Sequence, residues 1–352
     1  MPIPNYCAKY KKYFTGYIAW DWSLYPKAPY RGKGFLLDFE KMKDGKDRSS
    51  TIYHDKPMEN RQIIIYSNSF NRARNAMDLI NCGLWLSSGE SAIENPIPFP
   101  GDTSEFWGKR PLQEYFDDLL LTGPSEIHTS HYPRPCLIAA RASYYNSYRY
   151  ALAKFWFASK LHSIDRVDID PSLATEHLGV SRQFAAHVNF AYSIIAAYSA
   201  IEEIGLEIRA SKENPATING QWNPSVRADL ENRLKKAGIN IKDNINWDLR
   251  GKPTRVEKAK RLQSLGRCPW ARGPYVRDCE LQVVDAINQA SFLRSKISSH
   301  RFGKLVSSLT SYDVENVRHL ARKLILSSLG LWETFKKLNR DFVAKAQWKN
   351  QP

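Results

Sequence analysis

One arginine on the core-facing side of a helix constrains this chain more than any other feature. The segment from Leu281 onward predicts an amphipathic helix, because its apolar residues recur every three or four positions. That stripe consists of Val283, Ala286, Ile287, Ala290, Leu293 and Ile297. Since each helical residue turns by about 100°, Arg294 projects inside the stripe. A guanidinium there is costly unless it is paired or opens onto a cleft.

A histidine follows this arginine closely, and His300 would fall on the same side if the helix continued that far. An arginine followed by four to six residues and a histidine occurs three times, at Arg48 and His54, Arg182 and His187, and Arg294 and His300. The third case differs in its setting. It ends an amphipathic helix, and a short basic link at 301–304 leads into a second helix.

The second helix has a clear start signal. Thr310 or Ser311 is the predicted N-cap, and Asp313 and Glu315 lie in the first turn, where the helix dipole favours acidic residues. Its predicted buried stripe is Val314, Val317, Ala321, Leu324 and Ile325. Two helices joined by a short link are therefore predicted near the C-terminal end of the chain.

These two helices carry a family resemblance. The stretch Phe-Leu-Arg-Ser-Lys-Ile-Ser-Ser-His-Arg-Phe at 292–302, with the helix that follows it, resembles the last two helices of HEPN domains. HEPN domains are all-α, and many are metal-independent ribonucleases of prokaryotic defence and toxin systems. Their signature is an arginine, a polar residue and, a few residues later, a histidine. The resemblance assigns catalytic roles to Arg294 and His300, with Ser295 at a position where the family usually has Asn, Asp or His.

The resemblance also implies partners. HEPN nucleases typically act as homodimers in which two Arg–His sets surround one phosphate, and a partner protein of an antitoxin or defence system is expected. The family often carries an acidic residue on an early helix, so Glu202 or Glu203 is expected to orient Arg294 or His300, and we assign Glu203 to the catalytic set. A salt bridge that only holds the helices together is the alternative role for these glutamates.

The chemistry of RNA cleavage suits an arginine and a histidine. RNA is cleaved when its own 2′-hydroxyl attacks the adjacent phosphate, so the protein needs neither a nucleophile nor a metal or other cofactor. Histidine supplies a base with a pKa near neutrality. Arginine supplies a rigid cation that binds phosphate oxygens in bidentate fashion and stabilises the transition state. One such pair leaves the acid for the leaving group unassigned.

The charge distribution predicts a polyanionic partner, RNA. The chain carries a net charge of +15, and residues 250–304 contain thirteen Lys or Arg against four acidic residues. Concentrated positive charge is typical of surfaces that bind a phosphate backbone. The predicted RNA-binding residues are Arg255, Lys258, Arg261, Arg267, Arg272, Lys296, Arg301 and Lys304.

The rest of the chain predicts a mainly α protein. Short strands at 16–25, 34–40 and 50–53 precede helices at about 60–88, 111–121, 137–162, 187–209, 224–237 and 254–264, with loops near 94–102 and 132–135. We place an N-terminal mixed region of unknown role at 1–165 and a HEPN-like helical bundle at 166–345. Five scattered cysteines suggest reduced thiols in a cytoplasm, and no apolar run is long enough to span a membrane.

Two alternatives stay open. The helical pair can keep Arg294 and His300 as a buried brace, in which case the domain is a non-catalytic module that binds RNA or a partner protein. His128, His131 and Cys136 have a spacing that zinc can use, but the chain offers no second pair of ligands, so a structural role is favoured.

Overall fold

A computed structural model of the protein describes residues 10–20, 28–41, 60–88, 99–100, 133–167, 184–219, 221–247, 279–298 and 309–333. The described residues are rich in helix, and four strands precede the first helix. This order agrees with the prediction of a mainly α chain that opens with short strands. The chain divides into two compact units, unit 1 at 1–149 and unit 2 at 150–352.

Unit 1 is built on an antiparallel sheet. Its strands are β1 (Lys11–Trp20), β2 (Tyr30–Gly32), β3 (Phe35–Lys41), β4 (Asn60–Ser67) and β5 (Phe99–Pro100), in the order β2-β3-β4-β1-β5. In β4, Ile63, Ile64 and Ile65 are all fully buried, so both faces of the sheet are covered at this strand.

Two helices accompany the sheet, α1 (Phe70–Ser88) and α2 (Pro133–Ala142), and they pack against each other. Their approach is close at Gly83, where an added Cβ would come within 2.8 Å of the Pro135 carbonyl oxygen. A larger residue at Gly83 would therefore push the two helices apart.

The prediction of a helix over 60–88 is wrong for its first third. Residues 60–67 form β4, and the helix begins only at Phe70. The β-branched run Ile63-Ile64-Ile65 favours a strand, and it finds partners on both sides in β1 and β3. Near 132–135, where we predicted a loop, Pro133 already opens α2, as suits a residue that has no N–H to leave unpaired.

Unit 2 contains most of α3 (Asn146–Val167) together with α4 (Phe184–Glu203), α5 (Pro224–Lys236), α6 (Val283–Ser298) and α7 (Ser311–Ser328). The predicted helix over 137–162 is two helices, α2 and α3, and the predicted boundary at 165 lies within α3. α4 is central, since it packs against both α6 and α7. Its buried face consists of Phe190, Ala191, Ile194, Ala197, Tyr198 and Ile201.

The two C-terminal helices bury the residues that the periodicity predicts. All members of both predicted stripes are buried in α6 and α7. Thr310 is the N-cap of α7, and its side chain and that of Asp313 each accept a hydrogen bond from the other residue's backbone N–H. This reciprocal capping box satisfies two donors that the first turn would otherwise leave unpaired.

Short strands also contribute to unit 2. β6 (Thr217–Ile218) pairs with β7 (Gln221–Trp222), and β8 (Asn244–Trp247) pairs antiparallel with β9 (Cys279–Gln282). We predicted irregular chain around 244–251 and a helix already at Leu281. Both predictions miss this ribbon, because its strands are far apart in sequence. Among the helices of the described part, none is both long and apolar enough to cross a membrane.

Candidate functional site

The arginine that the sequence singles out lies on α6, in contact with α4. A terminal nitrogen of Arg294 lies 3.2 Å from a carboxylate oxygen of Glu202, and 39% of the arginine side chain is exposed. The residues around it on the stripe, such as Ile287, Ala290 and Ile297, are buried. Arg294 therefore extends from the edge of the core to solvent, and it is paired, as its costly position requires.

The carboxylate beside this arginine belongs to Glu202, in the last turn of α4. Our catalytic assignment named Glu203 instead, and Glu203 has a different partner. Glu203 accepts a hydrogen bond from the ammonium group of Lys154 at 2.6 Å, and Lys154 also donates to the Ser199 hydroxyl at 2.8 Å. Because successive helical residues differ by about 100° in direction, the two glutamates face different neighbours.

Two further polar residues lie one turn before this ion pair, and sequence reasoning missed them. Tyr198, four residues before Glu202, is buried, and its hydroxyl interacts with the side chain of Ser291, three residues before Arg294. The same hydroxyl accepts a hydrogen bond from the backbone N–H of Ile208 at 3.2 Å. Tyr198 lies four residues before Glu202, and Ser291 lies three residues before Arg294. Residues at these spacings share a helix face, so the sequence could have identified both.

Tyr198, Glu202, Ser291 and Arg294 thus form one polar strip between two apolar helices, which we name the α4–α6 seam. Burial raises the pKa of Tyr198, and the negative charges of Glu202 and Glu207 act in the same direction. The phenol is therefore neutral at physiological pH. Its hydrogen bond ties α4 to the chain that follows it, and the ion pair at the end of the seam is the charged part of the seam.

Other cations near the end of α4 are held by carboxylates. Arg209 donates to Glu207 at 2.7 Å. Arg233 donates to Asp229 at 2.7 Å and lies 3.9 Å from Glu207. Of these three contacts, only that of Arg233 with Glu207 joins α5 to the chain that follows α4, and the other two are local. Carboxylates therefore account for both arginines without a ligand.

The remaining predicted site residues are placed only in part. Ser295 follows Arg294 on α6 and is exposed, and Lys296 also lies on α6. His300 lies two residues beyond Ser298, outside the described residues. The predicted RNA-binding residues outside the described ranges are Arg255, Lys258, Arg261, Arg267, Arg272, Arg301 and Lys304.

The zinc site considered from the sequence, at His128, His131 and Cys136, also lies mostly outside the described residues. Of its three residues only Cys136 is described, and it is buried in α2, where burial raises the pKa of its thiol. A protonated thiol in the core is a poor metal ligand. Within the described ranges, His, Cys, Asp and Glu side chains form no group of three that could hold a metal ion.

The chemistry open to the seam follows from its one exposed cation. A guanidinium has five N–H donors in a fixed fork. The contact with Glu202 engages one end of Arg294, and the exposed fraction of the side chain leaves room for an anion with two acceptors, such as a phosphate. Comparison with known proteins adds no assignment, since no protein family, no curated protein and no solved structure matches this chain.

Proposed function

We propose that unit 2 is a HEPN-like helical domain and that the protein is a metal-independent endoribonuclease. The observation that carries the proposal is the Arg294–Glu202 ion pair at the exposed end of the α4–α6 seam. It gives the signature arginine an acidic partner from an earlier helix, which is what the resemblance to HEPN domains leads us to expect.

In the proposed reaction, the RNA 2′-hydroxyl attacks the adjacent phosphorus while His300 removes its proton. The bond from phosphorus to the 5′-oxygen of the next nucleotide breaks, and that oxygen takes a proton to become a hydroxyl. The products are a 2′,3′-cyclic phosphate and a 5′-hydroxyl end. Arg294 binds the non-bridging oxygens, whose negative charge grows in the transition state.

Glu202 is a positioning residue in this scheme. A carboxylate at 3.2 Å limits the directions in which the guanidinium points, so the remaining donors face the same place in each molecule. Its negative charge also weakens the attraction of Arg294 for anions in general. A phosphate then binds well only where its oxygens align with the remaining N–H donors of Arg294.

The resemblance supplies the rest of the proposal. A homodimer would bring a second His300 to the scissile phosphate, and that histidine can serve as the acid for the leaving group. A toxin or defence effector in the cytoplasm, restrained by a partner protein, is the biological setting that HEPN nucleases suggest. The net charge of +15 favours RNA as the substrate.

A non-catalytic module that binds RNA or a protein is the second candidate, and the same ion pair favours it. Glu202 and Arg294 join α4 to α6, so the pair can serve as a brace between helices. The structural role of the ion pair and its catalytic role do not depend on each other, so only a measurement of RNA cleavage distinguishes them.

Expression in a bacterial host tests the choice. An active nuclease should arrest growth, and His300→Ala should relieve the arrest at equal protein level. The matched control is His319→Ala, which removes an exposed histidine of α7. Growth arrest that persists in His300→Ala contradicts the catalytic assignment. Binding of intact RNA that weakens as salt rises, without growth arrest, favours the module.

A further inference from the structure

Unit 1 exposes a pair of tyrosine rings at the link between α2 and α3. Tyr144 is 45% exposed and Tyr145 is 63% exposed. The ring of Tyr145 stands at 66° to that of Tyr148, with 6.0 Å between their centroids. Large rings left in water forgo the stabilisation that burial gives, so adjacent exposed tyrosines point to a ligand that covers them.

A basic turn lies directly beside these rings. The backbone N–H of Lys33, in the turn between β2 and β3, donates to the Ser143 hydroxyl at 2.7 Å. The Tyr144 hydroxyl donates to the Arg31 carbonyl oxygen at 3.4 Å. These contacts fix the turn against the tyrosine link, and the side chains of Arg31 and Lys33 are exposed there.

A second arginine covers the same turn from α1. Gly34 has a φ of +84°, and an added Cβ would come within 2.8 Å of a terminal nitrogen of Arg72. Arg72 is exposed, so its charge adds to that of Lys33. The positive φ makes glycine the natural residue at this position, and the missing side chain lets the guanidinium lie close over the backbone.

Six basic residues lie on the segments that form this region. They are Arg31, Lys33, Arg72, Arg74, Arg141 and Arg149, and Arg74 interacts with the carboxylate of Asp78 on the same helix. One of these, Arg149, donates to the Ser143 carbonyl oxygen at 3.0 Å, which stiffens the tyrosine link. We name this region the tyrosine–basic surface of unit 1.

We propose that the tyrosine–basic surface binds single-stranded nucleic acid. Exposed tyrosine rings stack on unpaired bases of any sequence, and neighbouring Lys and Arg side chains bind the phosphates between them. The exposed cations Lys33 and Arg72 complement a polyanion and repel a basic protein partner. The inference goes beyond the proposed nuclease, because it gives unit 1 a binding role that holds whether or not Arg294 and His300 cleave RNA.

The test is binding of the full-length protein to a short 2′-O-methyl oligouridine, measured by fluorescence anisotropy. This probe has no free 2′-hydroxyl, so binding is read without cleavage. We expect the double variant Tyr144→Ala with Tyr145→Ala to weaken binding about tenfold, since each stacked base contributes substantially. The matched control is Tyr192→Ala, which removes a tyrosine of α4 that is 47% exposed.

The charge of the surface is tested by the double variant Lys33→Gln with Arg72→Gln. We expect the dependence of log K on log salt to become shallower by about 1.4, which corresponds to two lost phosphate contacts on a single strand. Lys235→Gln with Lys236→Gln removes the same charge from exposed positions of α5 and should leave the slope unchanged. Thermal melting checks that all variants fold.

Two results would overturn the proposal. One is binding that neither double variant weakens more than its control does. The other is equal affinity for a duplex of the same length, because paired bases cannot stack on the tyrosines. Loss of cleavage in the Arg294 or His300 variants with full oligouridine binding leaves this proposal intact, so the two proposals fail separately.

Discussion

Arg318 and Arg294, both in unit 2, lie within the apolar stripes of their helices but differ in their exposure to solvent. The side chain of Arg318, on α7, is only 9% exposed. Its Nε and one terminal nitrogen donate to the Ser159 hydroxyl of α3 at 3.2 and 3.1 Å, and the other terminal nitrogen lies 3.2 Å from Glu315. Arg294, on α6, is 39% exposed and lies beside Glu202.

The comparison separates an arginine that holds helices together from one that can bind a ligand. A guanidinium in the core must have its donors satisfied by the protein, as Arg318 does through hydroxyl and carboxylate oxygens. Arg294 reaches solvent, so it can exchange water for phosphate oxygens without a large desolvation cost. Loss of Arg318 should therefore affect stability, and loss of Arg294 should affect activity.

The largest expected effect is on RNA cleavage by Arg294→Ala. We predict that the rate falls by about 10²–10³, as when an enzyme loses one donor to a charged transition state. The melting temperature should stay within a degree or two, because a partly exposed ion pair contributes little to stability. Single-turnover cleavage and thermal melting measure the two quantities. An unchanged rate would remove Arg294 from the active site.

The opposite pattern is expected for Arg318→Ala. Removing this side chain leaves buried polar atoms without partners and a void between α3 and α7, which should lower the free energy of unfolding by about 2–3 kcal/mol. Urea unfolding followed by far-ultraviolet circular dichroism measures it. The cleavage rate per folded molecule should not change. A stability loss no larger than that of Arg294→Ala would contradict the distinction between the two arginines.

A smaller effect is expected at the carboxylate beside Arg294. Glu202→Gln keeps the size of the side chain and removes its charge, so we predict a loss of about tenfold in kcat because the guanidinium is less well oriented. Glu203→Gln is the matched control, since Glu203 binds Lys154 instead. Steady-state kinetics of the two variants decide the point. A loss in Glu203→Gln as large as that in Glu202→Gln would contradict the choice of Glu202 as the positioning carboxylate.

The smallest effect concerns the helix that carries Arg318. Thr310→Ala removes the N-cap of α7 and should cost about 1 kcal/mol of stability without altering cleavage. Thr310→Ser keeps the hydroxyl and serves as the control. Chemical unfolding of both variants measures the difference. Equal stability of the two variants would show that the hydroxyl of the cap contributes nothing.

Local patterns predicted the C-terminal helices well. The stripes of α6 and α7 and the N-cap at Thr310 depend on residues close together in the sequence, so local patterns are enough to predict them. The β8–β9 ribbon could not be found in this way. Leu281 pairs with Ile245, and the residues next to Leu281 do not indicate a partner so far away in the sequence.

The site was predictable only to the level of the helix. Sequence reasoning placed an acidic partner for Arg294 on α4, but the choice between Glu202 and Glu203 depends on the rotation of α4 against α6, which is a property of packing. Tyr198 and Ser291 were not predicted because a tyrosine and a serine on apolar helices are common. Only the structure shows that their side chains interact.

Incubation of the purified protein with RNA in the presence of EDTA tests the central claim most directly, with Arg294→Ala and His300→Ala beside it. We predict that the wild-type protein produces fragments ending in 2′,3′-cyclic phosphate and that both variants leave the RNA intact. Fragments produced equally by the wild type and Arg294→Ala, or RNA that stays intact with the wild-type protein, would contradict the account.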